Sequence, residues 1–170
     1  MIRRSNFAGA LLAAAALLLL SAGSAPAGEQ EIKVLSSIPF EDGEAASQKV
    51  QDECELQTKV PHFLDAYSDR VELVDGKLGK SGRVLELAIS QVHAPGGGAF
   101  SGAKSMTVKG VLRDNGKEIG SFTATRYSGG GVFGGYKGTC AIVGRCAKTI
   151  GKDIAQWLEN PKKGSELGDA

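Results

Sequence analysis

The sequence predicts an α+β fold, in which a mostly antiparallel sheet of about five strands carries two helices packed on one face. Three observations predict it. Apolar residues alternate through 83–92, 105–112 and 117–127, the period of half-buried strands. The last two of these runs are joined by Asp114-Asn115-Gly116, whose Asn-Gly pair suits the positive φ angles of a tight hairpin turn. Two other stretches, 47–67 and 141–158, place their apolar residues at helical spacing.

Residues 1–27 stand apart from the fold, because they have the three parts of an export signal. Arg3 and Arg4 form a positive start, 7–20 is apolar, and Ala25-Pro26-Ala27 supplies a small-x-small cleavage pattern. The apolar run is shorter than the roughly 20 residues that span a bilayer, so a cleaved signal is expected rather than stable membrane insertion. No cysteine precedes Cys54 to carry a lipid. The expected destination is the periplasm or the exterior. The whole chain, 42% hydrophobic and 23% charged with a net charge of +1, has ordinary globular composition. That argues against a disordered chain, a coiled coil or a polybasic binder of nucleic acid.

A single domain is expected over 28–160. Residues 31–38 read as a strand, stopped by Pro39 and the acidic stretch 41–44. In 47–67, Val50, Cys54, Val60, Phe63, Leu64 and Tyr67 approximate one helical face. Pro61 interrupts it at a cost of about 3 kcal/mol in a helix interior, so the helix kinks there or a shorter one starts near Thr58. Residues 71–74 read as a short strand and 75–82 as a polar loop. The three long strands follow. In the last helix, Ile142, Val143, Cys146, Ile150, Ile154, Trp157 and Leu158 lie on one stripe, which Asn160-Pro161 ends. Residues 161–170 read as a flexible, solvated tail. The expected order is β-α-β-β-β-β-α.

Three cysteines, Cys54, Cys140 and Cys146, allow one disulfide and leave one thiol over. Six helical residues separate Cys140 from Cys146, a rise of about 9 Å, beyond the roughly 7 Å reach of an unstrained bridge. A bridge from Cys54 to Cys140 or to Cys146 is therefore favoured. The local pairing stays open if Cys140 precedes the helix in an extended lead-in.

With 24 glycines in 170 residues, glycine is the unusual feature of the composition. Two nonapeptides echo each other: Gly96-Gly97-Gly98-Ala99-Phe100-Ser101-Gly102-Ala103-Lys104 and Gly129-Gly130-Gly131-Val132-Phe133-Gly134-Gly135-Tyr136-Lys137. If the three long strands form an up-down-up meander, both loops leave the same end of the sheet. Phe100, Lys104, Phe133, Tyr136 and Lys137 would then form one exposed patch beside the start of the last helix. Glycine-loop amides near a helix N-terminus suit anions, and loop aromatics suit a peptide, a glycan or a partner protein. The plain alternative is that the glycines only let the chain turn and pack closely.

Enzymatic motifs are thin. Gly129-x-Gly131-x-x-Gly134 fits a dinucleotide fingerprint, but no strand follows the last helix to complete a βαβ unit, and Tyr136 stands where a phosphate loop needs lysine. His62 and His93 are the only histidines, and they read as solvated residues. Cys54 lies between Glu53 and Glu55, a setting that raises a thiol pKa rather than lowering it. Asp52 with Glu55 and Asp65 with Asp69 read as wet helix faces, and Asp153 as a helix-helix contact. No catalytic residue, metal site or cofactor is expected.

The succession Val84-Leu85-Glu86-Leu87 with Ile89 and Val92, the Gly116-Lys117 hairpin, Gly-Gly-Gly-x-Phe-Gly-Gly running into Gly138-Thr139-Cys140, and Ile154-Ala155-x-Trp157-Leu158 resembles an uncharacterised family of exported Gram-negative proteins over about 32–158. The arrangement is similar to the amino-terminal domain of the Tol translocation protein and to the curli secretion lipoprotein. That resemblance implies a role in envelope assembly, with another envelope protein or a peptide as partner. The expected function is thus non-enzymatic protein binding through the glycine loops. A small-ligand, anion or carbohydrate binder at the same loops is the competing class, favoured if a deep pocket is lined by His93, Arg126 or Tyr127.

Overall fold

The computed structural model describes residues 31–96, 102–129 and 137–169. Residues 1–27, read from the sequence as an export signal, lie outside them, as do Phe100, Phe133 and Tyr136. The elements are β1 (Ile32–Leu35), α1 (Gln48–Glu53), α2 (Leu56–Tyr67), β2 (Val71–Val74), β3 (Arg83–His93), β4 (Lys104–Asp114), β5 (Lys117–Ser128), α3 (Thr139–Leu158) and β6 (Ser165–Gly168). The α+β class stands. Six strands form one sheet in the order β2-β1-β3-β4-β5-β6.

The sheet is mixed rather than mostly antiparallel. β3, β4 and β5 form the expected antiparallel meander, turned between the last two by Asn115 and Gly116 at φ 49° and 82°. Both outer pairings and the β1–β3 pairing are parallel. For the two outer pairings the reason is connectivity: the chain passes from β1 to β2 through α1 and α2, and from β5 to β6 through α3. A helical crossover returns a strand in the direction it left.

The single helix expected over 47–67 is two. Glu55 adopts a left-handed conformation, φ 51°, and ends the α1 run after Cys54. Pro61 then lies inside α2 without an evident gap in hydrogen bonding. The carbonyl it cannot serve, four residues back on Gln57, accepts the Ile38 N–H at 3.0 Å. A loop partner replaces the missing helical donor.

The expected flexible tail is also corrected. Residues 165–168 form β6, paired in parallel from Phe122↔Ser165 to Thr125↔Gly168. Local sequence carries little strand signal there, because the pairing depends on where α3 delivers the chain.

The core lies between the sheet and the helices. Leu85, Leu87, Ile89, Met106, Val108, Leu112, Phe122 and Ala124 face Val143, Ile150, Ile154 and Leu158 of α3. Phe122 meets Trp157 edge-on, centroids 4.8 Å apart. The α2–α3 contact needs Gly151, where an added Cβ would lie 2.7 Å from Phe63 Cβ and 2.9 Å from the Leu64 nitrogen.

Candidate functional site

The roots of both glycine-rich loops meet at one end of the sheet. The register pairs His93 with Ser105 and Lys104 with Ser128, so the chain leaves β3, enters β4 and leaves β5 at adjacent points. The start of α3 joins them through the Thr139 hydroxyl, which donates to the Pro95 carbonyl at 3.3 Å. A disulfide joins Cys54 to Cys140, tying the α1–α2 junction to the first turn of α3. Of the pairings left open by the sequence, this is the one the fold makes, and Cys146 remains a free buried thiol.

Between these parts lies a cleft of about 370 Å³. Ser47, Lys49, Val50 and Glu53 of the α1 region form one wall, and Ala94 with Gly96 another. Gly138, Thr139 and the disulfide close the base. A shallower depression lined by His93 and Pro95 continues from it past Ser47 and Gly96. The cleft therefore offers a mixed polar and apolar lining that includes one cationic side chain, Lys49, and one acidic side chain, Glu53.

Lys104 does not belong to an exposed patch. It is fully buried, because it opens β4 on the inward side of the Lys104, Met106, Val108 alternation. Its carbonyl accepts a weak hydrogen bond from the Cys146 thiol at 3.8 Å. Desolvation there pushes the thiol pKa up to about 11. Lys137 is half-buried beside Gly138. The roots of the two loops are adjacent, as expected from the sequence, whereas Lys104 is buried rather than exposed, although lysine at a strand end is more often solvated.

His62 and His93 are exposed, as read from the sequence. Arg126 and Asp153, in contrast, form a joint that sequence reasoning did not pair. Arg126 Nε and Nη2 donate to the two Asp153 carboxylate oxygens at 2.7 and 2.9 Å, and Nη1 donates to Asp169 at 2.8 Å. Asp153 therefore braces a helix to a strand, not to a second helix. The available signal was the arginine at an inward position of β5 after Phe122 and Ala124. The two carboxylates raise the guanidinium pKa further, so Arg126 is a fixed cation. Among the described residues no group of three His, Cys, Asp or Glu side chains could hold a metal ion, and no helix is long and apolar enough to cross a membrane.

No protein-family profile and no curated protein matches the chain. Solved structures do. An uncharacterized protein superposes with a TM-score of 0.56 at 14% identity, covering 76% of this chain and 92% of that one. A Xanthomonas campestris protein of family DUF330 gives 0.47 at 13% identity, covering 76% and 83%. The PelC dodecamer from Paraburkholderia phytofirmans gives 0.43 at 15%, covering 72% and 86%. The first of these likenesses is one of fold.

Proposed function

We propose that the chain is a non-enzymatic, exported cell-envelope module that binds a partner protein or peptide where its two glycine-rich loops leave β3 and β5. One observation carries the reading: the roots of both loops and the start of α3 converge on a single cleft, braced by the Cys54–Cys140 bridge. A cleft of mixed polar and apolar lining, with Gly96 and Gly138 at its edge, suits an extended peptide or a projecting loop. Phe100, Phe133, Tyr136 and Lys137 are the contact candidates from the sequence, and Lys49 and Glu53, which line the cleft, are added to them. The export signal of 1–27 and a disulfide, which persists in oxidising compartments, support a periplasmic or secreted location. The resemblance to exported proteins and to the Tol and curli components supports an assembly role.

The test is capture of partners from a periplasmic extract by the mature chain and by a Phe100→Ala/Phe133→Ala variant. Loss of a captured protein with the fold retained is the expected result. An unchanged set of partners in a folded variant overturns the reading.

The volume of the cleft favours one competing reading, a small ligand, anion or carbohydrate held between Lys49, Glu53 and Thr139. In that case Lys49→Ala would abolish ligand-induced thermal stabilisation while the two phenylalanine substitutions would leave it intact.

A further inference from the structure

We propose that the outer edge of β5 is a strand-acceptor site for the segment 165–169, filled within one chain by its own tail and between chains by the tail of a second copy. This inference is independent of the glycine-loop reading, because it uses the other side of the sheet's meander.

The segment Ser165-Glu166-Leu167-Gly168-Asp169 is recognised residue by residue. The Trp157 indole N–H donates to the Ser165 hydroxyl at 3.0 Å. Leu167 packs against the core. Gly168, at φ 91°, lies where an added Cβ would be 2.2 Å from the Thr125 carbonyl oxygen, so no other residue fits without displacement. The Asp169 amide donates to the Thr125 carbonyl at 2.9 Å. Its carboxylate takes the Arg126 guanidinium at 2.8 Å and the Tyr127 amide at 3.1 Å. The site thus reads a hydroxyl, an aliphatic side chain, a glycine and a carboxylate along a parallel strand, with charge complementarity at the last position.

These six contacts are made by residues 165–169, and the turn before them is held to the same strand, where the Lys162 carbonyl accepts the Ser121 N–H at 3.1 Å and the Gly164 N–H donates to the Ser121 hydroxyl at 3.1 Å. When residues 162–164 are released from Ser121 together with the segment, the six residues 159–164 extend to about 20 Å, which lets the segment leave its own edge and meet another. Each chain carries one donor and one acceptor. Reciprocal exchange therefore closes as a two-fold dimer and repeats the same contacts. Short flexible linkers set the competing intramolecular concentration in the millimolar range, so exchange is expected where the chain is locally concentrated.

Complementation tests this. A full-length Gly168→Val chain has a damaged tail and an intact acceptor, and a full-length Arg126→Gln chain has the reverse. Each alone is expected to be monomeric by light scattering at about 1 mM, and the mixture is expected to form a 1:1 dimer. A mixture that stays monomeric overturns the proposal. If the Arg126→Gln chain does not fold, the Gly168→Val chain decides alone, through titration with the peptide Gly-Ser-Glu-Leu-Gly-Asp-Ala. Trp157 is the sole tryptophan and reports occupancy by its fluorescence. Binding at least about tenfold tighter than that of the same peptide with valine in place of its second glycine sustains the site, and equal or absent binding overturns it.

Discussion

Pro61 and Cys146 show how far one residue can be understood from its own chemistry. Proline in a helix interior ordinarily costs about 3 kcal/mol, partly through an orphaned carbonyl. Here Ile38 supplies the missing donor to Gln57. Pro61→Ala is therefore expected to change the unfolding free energy by less than about 1 kcal/mol, because the restored helical N–H only competes with Ile38. Urea unfolding of the two proteins checks it, and a gain near 3 kcal/mol would contradict the substitution of partners. Cys146 gives a pH dependence. Its thiol titrates near 9.0 when unperturbed, and burial pushes it up to about 11. Below pH 9 both states keep the proton. Between 9 and 11 the unfolded chain releases it first, so the native state loses stability as pH rises through that window. Wild type is expected to lose about 2 kcal/mol more than Cys146→Ala between pH 8 and 11, measured as urea midpoints. Native, non-reduced protein is expected to resist alkylation at pH 8 and to accept one label in denaturant.

Among the elements, the strands and α3 were legible because their apolar residues recur with the right period. Alternation along 83–92, 105–112 and 117–127 places one set of side chains inward whatever the neighbouring strand is. The break between α1 and α2 was not legible: Cys54 and Glu55 have no turn-forming chemistry, and only a left-handed Glu55 reveals it. The disulfide joins the elements at this point. It closes 86 residues, so a Cys54→Ala/Cys140→Ala variant is expected to lose about 4 kcal/mol if chain entropy governs the effect. Peptide mapping without reduction should find the 54–140 bridge in wild type, and thermal unfolding should give the loss. A variant as stable as wild type would mean the bridge is incidental to how the α1–α2 junction is held at the start of α3.

For the whole molecule, the C-terminal segment is the clearest difference between sequence pattern and structure. A solvated tail could be removed without effect. A docked strand cannot: deletion after Asn160 removes the acceptor of the Trp157 indole, the Asp169 contacts and the apolar cover of Leu167. The deletion is expected to cost about 4–6 kcal/mol, at about 1 kcal/mol for each of four hydrogen bonds plus the partly buried Leu167, with a red shift of Trp157 emission. The candidate site divides in the same way. Placing both glycine-rich loops at one end of the sheet required only that the three long strands reverse twice, which the Asn115-Gly116 turn and their lengths imply. The cleft at their roots required the α1–α2 junction to be tied to the start of α3, which no local pattern states. By itself the sequence determined the three long strands, α3 and the apolar faces they turn inward, because periodicity is a property of neighbouring residues. Tertiary structure decided the parallel pairings, the choice of Cys140 over Cys146, the burial of Lys104 and the docking of the tail. Each of those depends on which distant segments meet, and that is settled by crossover connections and shared packing rather than by any residue's immediate neighbours.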